Sequence, residues 1–177
     1  MSQSATLYQV PNTIFAQLKN SYSLDEGIDL LPFFKNHVTF QGSFMALEYV
    51  LSKGQNVATT MLVKEIFNPT KILGAEDFEH LKDEEKGNLY ENMLPYLDAG
   101  TISEIAALLN SVSESDIRLS YDPEELNNND IYPGLWQNDV APDIGFNRKD
   151  FLNDFLELKN VFLQANTERN VIIVLVG

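Results

Sequence analysis

The stretch that decides the fold is Lys149-Asp150-Phe151-Leu152-Asn153-Asp154-Phe155-Leu156-Glu157-Leu158-Lys159-Asn160-Val161-Phe162-Leu163-Gln164-Ala165-Asn166, followed after three residues by Asn170-Val171-Ile172-Ile173-Val174-Leu175-Val176. In the first part Phe151, Phe155, Leu158 and Phe162 recur at three- and four-residue steps, with Leu152, Leu156 and Leu163 beside them, which predicts one long amphipathic helix. The second part is a near-continuous β-branched run. A strand that is apolar at almost every position has no polar face to offer water, so it belongs in the middle of a sheet. The pair predicts an α+β fold: a mixed or antiparallel sheet that includes the C-terminal strand, packed by several amphipathic helices.

Upstream, local signals divide the chain. Leu7 to Val10 reads as a short strand ending at Pro11, and Ile14, Phe15 and Leu18 then fall on one helical face. Residues 21–40 are ambiguous, because Leu24, Ile28, Leu31 and Phe34 suit a helix that Pro32 disturbs, while Val38 to Phe40 suit extended chain. Ser43 to Ser52 carries Phe44, Leu47, Val50 and Leu51 at helical spacing, with Gly54 as the stop. Ala58 to Phe67, β-branched and apolar, is read as a strand closed by Asn68-Pro69, and Glu76 to Lys86 as a charged helix or loop.

Thr101-Ile102-Ser103-Glu104 has the spacing of a capping box, which would start a helix at Thr101. Its stripe is Ile102, Ile105, Ala106, Leu109 and Val112. Ser113-Glu114-Ser115-Asp116 opens another short turn or helix, and Asp122-Pro123-Glu124-Glu125 supplies an N-cap, a first-position proline and first-turn carboxylates. A polar stretch, Asn127 to Asn147, carries Trp136 and leads into the long helix. No linker divides residues 1–177, and 177 residues suffice to bury roughly 70% of the unfolded surface in one core. A single domain is expected.

The run Phe44-Met45-Ala46-Leu47-Glu48-Tyr49-Val50-Leu51-Ser52, the capped helix after Tyr96-Leu97, the Asp122-Pro123 start, the element Asp130-Ile131-Tyr132-Pro133-x-x-Trp136 and the final helix and strand together resemble the YfbM-type family of bacterial domains. The likeness runs from about Val38 onward. It implies an α+β fold and a bacterial source, and the family carries no established activity. In that family a tryptophan commonly stands at the position of Phe44 and a histidine at that of Glu48, so any role of that histidine is lost here or passed to a carboxylate.

Composition excludes more than it assigns. The net charge of −14 repels nucleic-acid phosphates and anionic lipid heads and attracts a basic protein. There is no cysteine, which removes disulfides, thiolate nucleophiles and cysteine-based metal sites. The start, Met1 to Pro11, lacks a basic segment followed by an apolar one, and no apolar run reaches the length of a membrane span, so a cytoplasmic location is expected. Phosphate-loop, dinucleotide, nucleophile-elbow and His-Glu-x-x-His motifs are missing. Asp122, Glu124, Glu125 and Asp130 break the EF-hand spacing at Leu126 and Asn127. Neither a metal nor a cofactor is expected.

The two histidines, His37 and His80, lack metal-ligand spacing to each other. Asp130, Tyr132 and Trp136 are binding candidates, as aromatics beside an aspartate on a loop, or else they bury that loop against the core. Residues 111–147 hold Glu114, Asp116, Asp122, Glu124, Glu125, Asp130, Asp139 and Asp143 against the single base Arg118, half the net charge. Two functions stay open. One is a non-enzymatic interaction protein that meets a basic partner through Glu124, Glu125 and Asp139, such as a neutraliser of a basic toxin or nuclease. The other is an enzyme or small-ligand-binding protein with a pocket near Tyr49, His37 and Tyr132. A flat acidic face favours the first and a deep pocket with a titratable pair the second.

Overall fold

Asn170 to Val176 is the central strand of a five-stranded sheet. The computed structural model describes residues 3–23, 29–75, 92–138 and 145–177. Within these the strands are β1 (Ser4–Pro11), β2 (Asn36–Gln41), β3 (Lys71–Leu73), β4 (Leu94–Leu97) and β5 (Asn170–Val176), in the order β2-β1-β5-β4-β3. Every pairing is antiparallel. The described helices are α1 (Asn12–Ser21), α2 (Phe44–Ser52), α3 (Val57–Glu65), α4 (Ala99–Ser111), α5 (Glu114–Ser120), α6 (Pro123–Asn128) and α7 (Arg148–Glu168).

Side chains alternate across a strand, so β5 feeds two cores. Ile172 and Val174 join Ala5, Leu7, Val38, Phe40 and Leu97 on the face covered by α2, α4 and α7. Val171 and Ile173 join Val10 on the other face, under Phe15 and Leu18 of α1 and Leu30. Burying each such aliphatic side chain contributes about 1.5–3 kcal/mol, so the central strand repays the ordering of its neighbours. Only Arg169 links α7 to β5. It adopts the left-handed conformation (φ 56°), and its N–H caps the helix on Ala165 and Asn166. That turn folds α7 back over the sheet, where Phe155, Leu158, Phe162 and Ala165 are fully buried.

In the ambiguous 21–40 stretch Leu24 and Ile28 lie outside the described residues, Pro32 sits in a turn in which the Phe33 N–H donates to Leu30 O at 2.9 Å, and Val38 to Phe40 are extended within β2. The charged stretch Glu76 to Lys86, with His80, lies outside the described residues. Two expectations need correction. Ala58 to Phe67 is not a strand: Asn56 caps α3 by accepting the Thr59 N–H at 2.9 Å, and the chain coils from Val57. Val63, Ile66 and Phe67, fully buried, are spaced for a helix, and their packing overrides β-branched propensity. Phe67 meets Phe40 and Phe44 with ring centroids 5.9 and 5.5 Å apart, which ties α3 to β2 and α2.

The second correction concerns α4. Its N-cap is Asp98, whose carboxylate accepts both the N–H and the hydroxyl of Thr101, at 3.0 and 3.1 Å. A carboxylate three residues earlier outcompetes the threonine hydroxyl for the free N–H groups, and Thr101 becomes its donor. The capping box occurs one helix later, between Ser113 and Asp116.

Lys71 also pairs with Asp98, and with the Thr101 N–H it holds the Asp98 pKa below the ordinary carboxylate value. A lowered folded-state pKa contributes stability that is present above the unfolded value of 3.8 and lost as pH falls through the folded one. Asp98→Ala should therefore cost about 0.5–2 kcal/mol at neutral pH, with the deficit closing in acid, whereas Thr101→Ala should cost less. Urea titrations of both variants at several pH values check this; a larger loss for Thr101→Ala would return the cap to the threonine.

Candidate functional site

The described surface contains a cleft of about 730 Å³ between α2, α3 and the segment around Ile131. Its geometry follows from how α2 packs. Ala46, Leu47, Val50 and Leu51 turn into the core, which leaves Met45, Glu48, Tyr49 and Ser52 facing away from it at helical spacing. α3 buries Val63 and presents Thr60 and Lys64, one turn apart, to the same space. Phe44, Met45, Ile131 and Val176 give the cleft apolar walls, and Gln3 and Asn68 add amides.

The charged groups differ in how far they are committed. Tyr49 donates its hydroxyl proton to Glu125 Oε1 at 2.9 Å, and Lys53 pairs with the other oxygen of the same carboxylate. These contacts lower the Glu125 pKa and raise those of Lys53 and Tyr49. Glu48 is half-buried and accepts only a long bond, 3.4 Å, from Asn68 Nδ2. Burial raises its pKa, against the opposing field of Lys64 and the bond from Asn68. Among the described residues Lys64 forms no ion pair, and the Ser52 hydroxyl is buried without a hydrogen-bond partner.

The residues expected to form a pocket do not come together. Tyr49 lines the cleft, but His37 pairs with Tyr8 and lies on the opposite sheet face, stacked on that ring with centroids 5.7 Å apart. Alternation along β2 is the reason: Val38 and Phe40 point toward α2, so His37 and Thr39 point away. Tyr132 stands near the cleft without lining it. Its hydroxyl accepts the Gln3 N–H at 3.3 Å, and its ring, like that of Phe146, lies 3.1 Å from where a Cβ at Gly42 would sit, a glycine with φ 75°.

The loop candidates have structural tasks. Trp136 is only 3% exposed and packs edge-on to Tyr121, Phe146 and Phe151; its Nε1 donates to Ile131 O at 2.9 Å. Asn127 clamps it through two backbone bonds of 2.9 Å. Asp130 is exposed and takes the left-handed conformation (φ 53°) that closes α6, letting the Ile131 N–H reach Leu126 O at 3.0 Å. Of the acids on 111–147, Asp116 and Asp122 cap helices, Glu114 pairs with Arg118 and Glu125 is held by Tyr49 and Lys53. Glu124 is exposed, and Asp139 and Asp143 lie outside the described residues.

A smaller cavity of about 200 Å³ lies where Trp136, Phe146 and Phe151 meet Ser43, Asp150 and Asp154. Burial raises the Asp154 pKa against a contact from Ser43, and Asp150 is bonded to the α7 cap, Asn147. No group of three or more metal-ligating side chains occurs among the described residues, and none of their helices is long and apolar enough to cross a membrane.

Comparison with known proteins places the chain in a family. A domain family of unknown function (DUF1877) matches residues 1–175, and the chain belongs to it. The structure is similar to that of a protein of unknown function, YfbM from Escherichia coli, at 14% identity and a TM-score of 0.60 over all of both chains, a likeness of fold. The resemblance drawn from the residue runs therefore holds, and so does the α+β fold. No curated protein matches.

Sequence reasoning pointed to Glu48 and Tyr49 but missed Ser52, Thr60, Lys64 and Asn68. The signal lay in the Asn56 cap and the helical spacing of Val63, Ile66 and Phe67, which set α3 opposite α2.

Trp136→Ala should cost about 3–5 kcal/mol in a denaturant titration, while Leu135→Ala, at a side chain 64% exposed, should cost under about 0.5 kcal/mol. Equal small losses would move the indole out of the core. Glu48, with its folded pKa raised above 4.5, binds a proton more readily folded than unfolded. Stability therefore falls as pH rises from 4.5 through the raised value, and the ionised carboxylate is a standing cost above it. Glu48→Gln should accordingly melt higher than the parent at about pH 7 and level with it at about pH 4. A variant that melts lower at neutral pH would show the carboxylate to be stabilising.

Proposed function

We propose that this domain binds a small amphipathic organic molecule in the cleft between α2 and α3. The observation that carries the reading is the cleft itself: about 730 Å³, apolar through Phe44, Met45, Ile131 and Val176, with Glu48, Ser52 and Lys64 converging on it. Small-molecule sites are concavities of about 300–1,000 Å³, mostly apolar, with a few placed polar groups. A half-buried carboxylate costs folding free energy, and a ligand that donates to it recovers part of that cost.

This reading stands ahead of the one in which a basic protein docks on residues 111–147. Most described acids there already cap helices or pair within the chain, so they do not require a partner to account for them. Glu124 and Asp130, both exposed, remain open to such a partner.

Binding is tested with the uncharged solvatochromic dye prodan, whose emission shifts to the blue in an apolar site. The parent should bind one equivalent with a blue shift. Thr60→Trp, which places an indole in the cleft from a half-exposed position on α3, should lose that signal while its thermal melt stays cooperative. Met45→Trp serves as a second filling variant. No saturable binding by the parent, or unchanged binding by both folded variants, would overturn the proposal.

A further inference from the structure

Building on the cleft as a ligand site, we infer that its ligand is a zwitterion with an apolar body, of the class of an apolar amino acid or short apolar peptide, its ammonium on Glu48 and its carboxylate on Lys64. Three charged side chains line the cleft, Glu48, Lys53 and Lys64, and one is already matched: Lys53 is neutralised by Glu125, whose carboxylate Tyr49 also holds. The two left open have opposite signs and come from different helices, Glu48 from α2 and Lys64 from α3. They sense each other's charge without forming an ion pair. Space between unpaired opposite charges suits a ligand that carries both.

Other ligand classes leave one group stranded. A purely apolar molecule would take water from Glu48 and Lys64 and return no hydrogen bond to either. A lone anion would answer Lys64 and press against Glu48, and a lone cation would do the reverse. Glu48 is half-buried and bears the larger cost when left uncompensated, whereas Lys64 is exposed and bears a smaller one. Glu48 is already desolvated enough for its pKa to rise, so an ammonium beside it gains from the low local dielectric. Phe44, Met45, Ile131 and Val176 then receive the side chain.

The test is displacement of prodan by four compounds: L-phenylalanine, its methyl ester (no carboxylate), N-acetyl-L-phenylalanine (no ammonium) and the dipeptide Leu-Phe. One of the two free zwitterions should displace the dye, and the better of the two tells whether the ligand is a single residue or a peptide. The ester and the N-acetyl compound should each bind at least about 10-fold more weakly than free phenylalanine if the single residue is preferred. If the dipeptide is preferred, its own ester and N-acetyl forms should show the same loss.

Substitutions at the two charges should act on different compounds. Glu48→Gln should narrow the gap between the zwitterion and its N-acetyl form, and Lys64→Met should narrow the gap to the ester. A merely structural role for either residue would shift all compounds together. Prodan binding with no displacement by any zwitterion, or displacement by capped and free forms alike, overturns the inference and leaves the cleft reading in place. Absence of saturable prodan binding by the parent overturns the cleft reading and this inference with it.

Discussion

The structure depends on β5 having neighbours on every side. Its backbone is hydrogen-bonded to β1 along its whole length and to β4 in its central part, and its side chains from Val171 to Val174 are buried on both faces. Such a strand can exist only when two layers of helix and loop are in place to cover it. The single-residue link at Arg169 puts α7 on one layer, and the turn after Pro11 puts α1 on the other. Folding of the two halves of the chain is therefore coupled: β1 near the start and β5 near the end are the sheet's most extensively paired strands.

The cleft is a consequence of that arrangement. α7 and α4 occupy the middle of the covered face, so α2 packs beside them over β2, with room for only one side of it to be buried. Its outward side would be buried if α3 lay flat against it. Instead α3 is anchored at its far end, through Val63, Ile66 and Phe67, and its first turns stand off with Val57 and Met61 exposed. The space between is closed at the side by Ile131, which the α6 closure and the Trp136 clamp hold in place. Within the Asp130 to Trp136 element Ile131 lines the cleft, and the other residues support it from behind. Tyr49 and Lys53 on Glu125 add a polar tie between α2 and α6.

What the sequence made legible is what one-dimensional pattern can carry. The long helix, the central strand, the α2 helix and the Asp122 cap each depend on periodicity or on residues a few positions apart, and each is found where those patterns put it. The failures came where tertiary context outweighed local preference. β-branched Val57, Thr59, Thr60 and Val63 suit a strand in isolation, but the Phe40, Phe44 and Phe67 cluster makes the helix better packed. At Thr101 two caps compete, and the carboxylate of Asp98 wins through a partner, Lys71, that is distant in sequence. The site was half-legible for the same reason. Glu48 and Tyr49 lie on a helix that can be read, whereas Lys64 belongs to one that cannot until its partner helix is known. His37 was grouped with Tyr49 and Tyr132 without knowledge of the strand register that sends it to the other face.

The chain's acidity and the cleft's composition act at different ranges. A net charge of −14 sets a field that repels anions and draws cations from several ångströms away, damped over roughly 10 Å at 0.1 M salt. At the cleft, Glu48 stands with Lys53 and Lys64, and Glu125 pairs with Lys53 beside it, so side chains of both signs meet there although the chain as a whole is acidic. An acidic protein that spends two of its 12 bases around one cleft keeps that cleft from becoming a general cation trap. Under the proposed ligand reading, selection there would fall to hydrogen-bond geometry and apolar fit, because a molecule of zero net charge is neither pulled in nor turned away by the outer field. The separation between solubilising charge outside and charge of both signs within is the physical basis on which this fold can be strongly acidic and still offer a shaped site of mixed sign.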